Sequence, residues 1–348
     1  MSKIHNTYRL MKAALEIRKF NSVNSAYHKH ADRVIQEFMT RHFDEQHANL
    51  PGNLRKKMQW YMAEFLFVCE YFNGMADIKA NPIQQRQYLL SGALIAICDA
   101  LVDELGLNEA RLHQLKRPPA EIKPATQVEK LYLYLYKAYL NALEDEVKER
   151  SLRYYVQLFE AQIERKKQLS ADITQAEADR ICKHKCGINI LFLRSMVRRD
   201  ISKAEEEAWY ELGGFIQYCN DAQDLHKDTQ QNIKTFANSR ADLQTIASDI
   251  DKQRAKAFAL IKKTDYPEAA KDDMLFILHV IYVGILYKLQ AFSRLCNYSF
   301  DLNEFAAKEP KHVRISMVRL RPLLFVLPKV MAYDYKKDFS KDSQPAIA

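Results

Sequence analysis

Glycine and proline are scarce in this chain, eight and ten among 348 residues. No run of alternating Val, Ile and Thr bounded by turn residues occurs, so an all-β or α/β fold is not expected. Met1–Leu15 has no apolar core segment, which argues against a cleaved leader. The longest largely apolar run, Met274–Tyr287, falls short of the about 18 residues that mark a membrane span, and it reads as a core helix. Without a leader, the six cysteines belong in a reducing cytoplasm and no disulfide is expected. Cys182-x-His184-x-Cys186 lacks a fourth ligand, and on a helix His184 points away from both thiols. Zinc is therefore not expected, and these thiols read as small buried groups.

What the chain does have is helix formers: Leu, Ala, Lys, Glu, Gln and Arg are plentiful. The expected class is all-α, a single bundle of about ten helices over residues 1–335, with a polar, disordered tail at 336–348. Residues 1–49 read as one or two amphipathic helices rich in basic residues. Helices are then expected at Leu54–Phe72, Ile83–Leu105, Val128–Leu143, Lys148–Gln168 and Thr174–Val197, the last interrupted near Gly187. Ser202–Asp228, Leu243–Lys263, Pro267–Cys296 and Val313–Tyr335 complete the set. Ser202-x-x-Glu205 is a capping box, and Gly106 is placed to end its helix. The stretch around Pro118, Pro119 and Pro124 reads as a loop.

A net charge of +8 suits an anionic partner, whether nucleic acid, a membrane surface or a diphosphate. The basic residues are dispersed apart from a cluster at Lys311–Arg321, which weighs against nucleic acid. Two acidic rows sit inside otherwise apolar helices. One is Asp99 and Asp103, followed by Glu104. The other is Asn220, Asp224 and Asp228, with Gln217 and Asp221 beside them. Residues four apart share a helix face, so each row projects to one side. Gly92, Ile95 and Val102 line the first row, and Gly213, Ile216 and Gln217 line the second. Carboxylates buried without a paired base call for a cation, and two rows of oxygen donors suit a hard metal such as Mg²⁺. One Asp-x-x-x-Asp alone usually marks a solvated face; two rows with glycines inside the same helices point instead to a site. Each helix-interior glycine costs about 1 kcal/mol relative to alanine, so close packing or a bend that admits a ligand should offset it.

With these residues in view, the chain resembles the class I isoprenoid synthase superfamily. Cys98-Asp99-Ala100-Leu101-Val102-Asp103-Glu104 is similar to the first aspartate-rich motif of squalene and phytoene synthases. Gly213-x-x-x-Gln217-x-x-Asn220-x-x-x-Asp224-x-x-x-Asp228 resembles their second motif. Arg180-x-Cys182-x-x-x-x-Gly187 resembles their bent active-site helix. Asn220-Asp221-x-x-Asp224-x-x-Lys227-Asp228 is also similar to the metal triad of microbial terpene cyclases. The Asp at its middle position resembles large-terpene synthases.

The resemblance implies a helical fold with a central, dry, aromatic-lined active-site cavity. Asp99, Asp103, Asn220, Asp224 and Asp228 would be the catalytic metal ligands, with Glu104, Gln217 and Asp221 supporting them. Arg180, Lys185 and Lys227 would contact the diphosphate. Arg314, Arg319 and Tyr333 would close over it, although a basic surface strip explains that segment equally well. The implied cofactor is Mg²⁺, three ions assembled with the diphosphate. The implied partners are a prenyl diphosphate and no nucleic acid, with peripheral membrane contact left open. Ala96 and Gln223 stand where head-to-head synthases carry arginine, and Lys183–Gly187 lacks their tyrosine. The expectation is therefore a one-substrate terpene synthase or cyclase. Head-to-head condensation and a non-catalytic helical binding protein are the alternatives.

Overall fold

The computed structural model describes residues 5–12, 29, 32–33, 35–36, 53–315 and 320–333, with only the backbone at 320 and 321. Every regular element among them is helical, as the composition implies. The expected tail at 336–348 and residue Arg319 lie outside the described residues, as does most of the basic N-terminal segment.

By internal contact the chain forms two compact units. One unit holds residues 15–166 and 191–201. The other holds residues 1–14, 167–190 and 202–348. In sequence the first is inserted into the second.

The inserted unit contains α1 (Leu54–Met75), α2 (Pro82–Asp103), α3 (Glu109–Leu115), α4 (Gln127–Ala142) and α5 (Asp145–Glu164). Asn81 opens α2 with a full capping box to Gln84, ahead of Pro82 at the first helical position. Beyond the end of α2, Gly106 adopts φ +62°, which a glycine tolerates without strain. The short α3 was not expected. Asn108 caps it by accepting from the Arg111 backbone, and the Arg111 guanidinium ties it to the buried Glu129 on α4. Tyr132, Tyr139, Tyr155, Phe159 and Phe192 are wholly buried against one another. The Tyr132 and Tyr155 hydroxyls lie 2.7 Å apart. Here the abundant aromatics make a packed core.

The second unit is built from α6 (Gln175–Ser195, which ends in the inserted unit), α7 (Lys203–Gln230), α8 (Leu243–Lys262) and α9 (Glu268–Leu295). The short α10 (Leu302–Ala306) and α11 (Pro310–Val313) lead to α12 (Leu320–Met331). α6 runs unbroken through Gly187, so the expected interruption is absent. The Ser202–Glu205 capping box opens α7 as expected. The single helix expected at Val313–Tyr335 is instead α11 and α12, with extended backbone at Arg314. Asn6 Nδ2 donates to the carbonyls of Met331 and Tyr333 at 3.0 and 2.8 Å, joining the two ends of the described chain.

Candidate functional site

The first acidic row owes its position to a glycine. A Cβ on Gly92 would lie 2.6 Å from the Tyr61 carbonyl oxygen and 2.7 Å from the Met62 Cα, so α1 and α2 cross at backbone contact. That crossing sets Lys57 of α1 beside Asp99 of α2. Lys57 Nζ is 2.6 Å from Asp99 Oδ2 and 2.7 Å from Glu104 Oε1. Arg165 adds Nη1 at 2.6 Å from Asp103 Oδ2 and 3.7 Å from Asp99 Oδ1. Asp99 is only 5% exposed, while Asp103 and Glu104 are exposed.

The expectation that these carboxylates lack paired bases is thus overturned, because distant parts of the chain supply two cations. Burial works against the Lys57 charge, but Asp99 and Glu104 outweigh it and hold the ammonium above the ordinary lysine value. The Tyr61 phenol, pushed upward by burial and then by Asp99, stays protonated beside this cluster.

In the other unit, α6 and α7 meet through two glycines. A Cβ on Gly213 would stand 2.4 Å from the Cys186 carbonyl oxygen and 2.5 Å from the Gly187 Cα. One on Gly187 would meet the Tyr210 ring at 2.6 Å. Close helix packing therefore accounts for Gly92, Gly187 and Gly213. The contact joins the helix carrying Arg180, Lys183 and Lys185 to the helix carrying the second acidic row.

Along that row Asn220 is exposed, Asp224 is 40% exposed and Asp228 is buried. Lys227 Nζ approaches Asp224 at 3.7 Å. Lys288 of α9, which the sequence did not single out, donates to the Gln223 carbonyl at 2.8 Å. Burial lowers its ammonium and Asp224 counters the shift. Gln217 Nε2 donates to Asp221 Oδ1 at 2.6 Å, and the Phe236 backbone N–H donates to Asp221 Oδ2 at 3.2 Å. Asp221, 2% exposed, therefore anchors the turn after α7. Phe236 stacks on Tyr218 at 3.8 Å, and Arg240 locks the same turn to Asp179 and Asp249.

The remaining candidates sit as follows. Arg180 is exposed and Lys185 half-buried on α6. Lys183 binds the buried Glu211 at 2.7 Å, joined there by Lys256 at 3.0 Å and by Gln253. His184 Nδ1 faces the Tyr210 hydroxyl at 3.2 Å, so it forms no triplet with Cys182 and Cys186. His226 Nε2 lies 2.8 Å from the Lys308 carbonyl and has a packing role. Tyr333, expected to close over a diphosphate, is 8% exposed and stacked on His279 at 3.7 Å. Burial pushes the His279 imidazole down to about 3, so that stack is uncharged. Arg314 is exposed.

The oxygen donors of Asn220, Asp224 and Asp228 are chemically suited to Mg²⁺. Those of Asp99 and Asp103 are of the right kind but already engaged by Lys57 and Arg165. Among the described residues no three His, Cys, Asp or Glu side chains converge as a metal-binding group. Comparison with protein-family models, curated proteins and solved structures returned no match.

Proposed function

We propose that this protein is a Mg²⁺-dependent class I terpene synthase acting on one allylic prenyl diphosphate. The observation that supports the reading is the contact between Gly187 and Gly213. Two segments that resemble separate motifs of one enzyme family pack together here, backbone against backbone, and carry cations and oxygen donors on adjoining helices.

On this reading Asn220, Asp224 and Asp228 would hold metal on one helix, and Asp99 and Asp103 on another. Bound Mg²⁺ supplies Lewis-acid pull on diphosphate oxygens, making diphosphate a better leaving group. The chain's own part is electrostatic. Arg180, Lys185 and Lys227 supply positive charge to the departing diphosphate.

The test is incubation of purified protein with geranyl, farnesyl and geranylgeranyl diphosphate, with and without Mg²⁺, followed by gas chromatography–mass spectrometry. A Mg²⁺-dependent hydrocarbon or alcohol with the carbon count of one substrate is expected. A doubled carbon count would replace the reading with head-to-head condensation. No product from folded protein would replace it with a helical binding protein.

A further inference from the structure

Two ring contacts in antiparallel register fasten α12 and the residues after it to α9. Phe325 meets Tyr287 at 5.4 Å, and about two helical turns away Tyr333 stacks on His279 at 3.7 Å, with the ring planes 13° apart. Tyr333 lies just past the end of α12, where its carbonyl accepts from Asn6 Nδ2. His279 is 8% exposed, and neither ring nitrogen makes a hydrogen bond of good geometry. A neutral imidazole therefore leaves one donor and one acceptor unmet, and an imidazolium would bury two donors and a charge. A phenylalanine would stack on Tyr333 without either cost, so the ring nitrogens call for another explanation.

The surroundings disfavour a charged ring. From α8, Arg254 is the charged side chain that acts on it among the described residues, with Nε and Nη2 held by Asp251 Oδ1 at 2.9 and 2.7 Å. On α9 itself Tyr282 lies at 6.0 Å, and Cys219 of α7 is close to Tyr282. From the helix at residues 5–12, Arg9 lies over Phe276, one turn before His279, and pairs with Asp272 and Asp273. The chain's end contributes Tyr333 and the Lys329 backbone. The Lys329 backbone favours the charged ring, but burial and then Arg254 outweigh it. We propose that the His279–Tyr333 stack is an acid-released latch: when His279 takes up a proton, Tyr333 leaves α9 and α12 loosens with it. The released ring titrates near the ordinary histidine value of 6.5, and the docked ring only at about 3. Docking is therefore at full strength above 6.5 and weakens as pH falls below it.

The latch does not depend on the terpene synthase reading. Its test is hydrogen–deuterium exchange of the full chain at pH 7.5 and 5.0, corrected for the intrinsic pH dependence of exchange, with α4 as internal reference. In wild type, protection of α12 should fall about thirtyfold from pH 7.5 to 5.0 while α4 keeps its own. His279→Phe keeps a ring on Tyr333 but takes up no proton, so its α12 should be equally protected at both pH values. Tyr333→Ala removes the stack and leaves His279 in place. Its α12 should be weakly protected already at pH 7.5, with no further loss at 5.0. Unchanged wild-type protection would overturn the proposal. An equal fall in wild type and His279→Phe would also overturn it, moving the effect to the pairs of Arg9 with Asp272 and Asp273. A fall shared by α4 would overturn it in favour of general acid unfolding. Should His279→Phe lose its fold at pH 7.5, Tyr333→Ala decides alone: an acid loss as large as that of wild type overturns the latch.

Discussion

Replacing Gly213 by alanine sets two effects of opposite sign against each other. Inside α7, alanine should stabilise the helix by about 1 kcal/mol over glycine. Its methyl group would arrive 2.4 Å from the Cys186 carbonyl oxygen and 2.5 Å from the Gly187 Cα. Ordinary contact begins near 3.4 Å, so the helices would have to part by about 1 Å. Both sides of the clash are backbone, so no rotamer can relieve it. An overpacking cost at the top of the usual range, about 3 kcal/mol, applies. The net expectation is a loss of about 2 kcal/mol, or about 3 °C in melting temperature for 348 residues unfolding together. Gly74→Ala is the control. It lies in the last turn of α1 with nothing within 4 Å of the new methyl group, and should stabilise by about 0.5 kcal/mol. Thermal and urea unfolding followed by far-ultraviolet circular dichroism measures both. A Gly213→Ala protein that melts at or above wild type would refute the backbone contact between α6 and α7, and with it the support for the proposed function.

Three further outcomes follow from the same geometry. Lys57→Met should destabilise by about 2 kcal/mol by leaving the buried Asp99 with Arg165 as the remaining one of its two cations, and Asp99→Asn in that background should restore part of the loss; a double-mutant cycle by urea denaturation measures it. Because the folded Lys57 value is raised, its stabilisation is complete below the ordinary lysine value and fades as pH rises through the folded one; a pH-independent melting difference at alkaline pH would contradict this. Glu211 is held below the ordinary glutamate value because Lys183, Gln253 and Lys256 overcome its burial. Its stabilisation is present above that value and lost as pH falls through the folded one. Glu211→Gln should cost about 2 kcal/mol near neutrality and flatten the acid limb of the stability curve. Asn220→Ala, at an exposed position, should abolish Mg²⁺-dependent turnover of prenyl diphosphate without moving the melting temperature; wild-type activity would remove Asn220 from the metal site.

Local chemistry made much of the helical framework legible. Ser202 and Glu205 close the capping box their spacing implies, and the sparse glycine and proline match a fold whose described elements are all helices. The partners of the first acidic row were not legible, because Arg165 lies 62 residues from Asp103 and no periodicity links them. Lys57 is likewise 47 residues from Glu104. The α6 reading failed for a related reason. Gly187 weakens a helix in isolation, but packing against Tyr210 and Gly213 keeps it continuous. The stacking of Tyr333 on His279, 54 residues away, was likewise not legible in the sequence.

The bonds from Asn6 to the carbonyls of Met331 and Tyr333 bear on the order in which the protein is made. The inserted unit is complete in sequence once residue 201 has been synthesised, and it can fold while the ribosome is still extending the chain. The other unit is split around it and must wait for the segments that follow residues 166 and 201. Asn6 has no Met331 or Tyr333 carbonyl to bond until those residues have been made. A stop before Met331 should therefore leave the inserted unit folded and deprive Asn6 of both acceptors, while Arg9 and Lys12 can still reach Asp272 and Asp273.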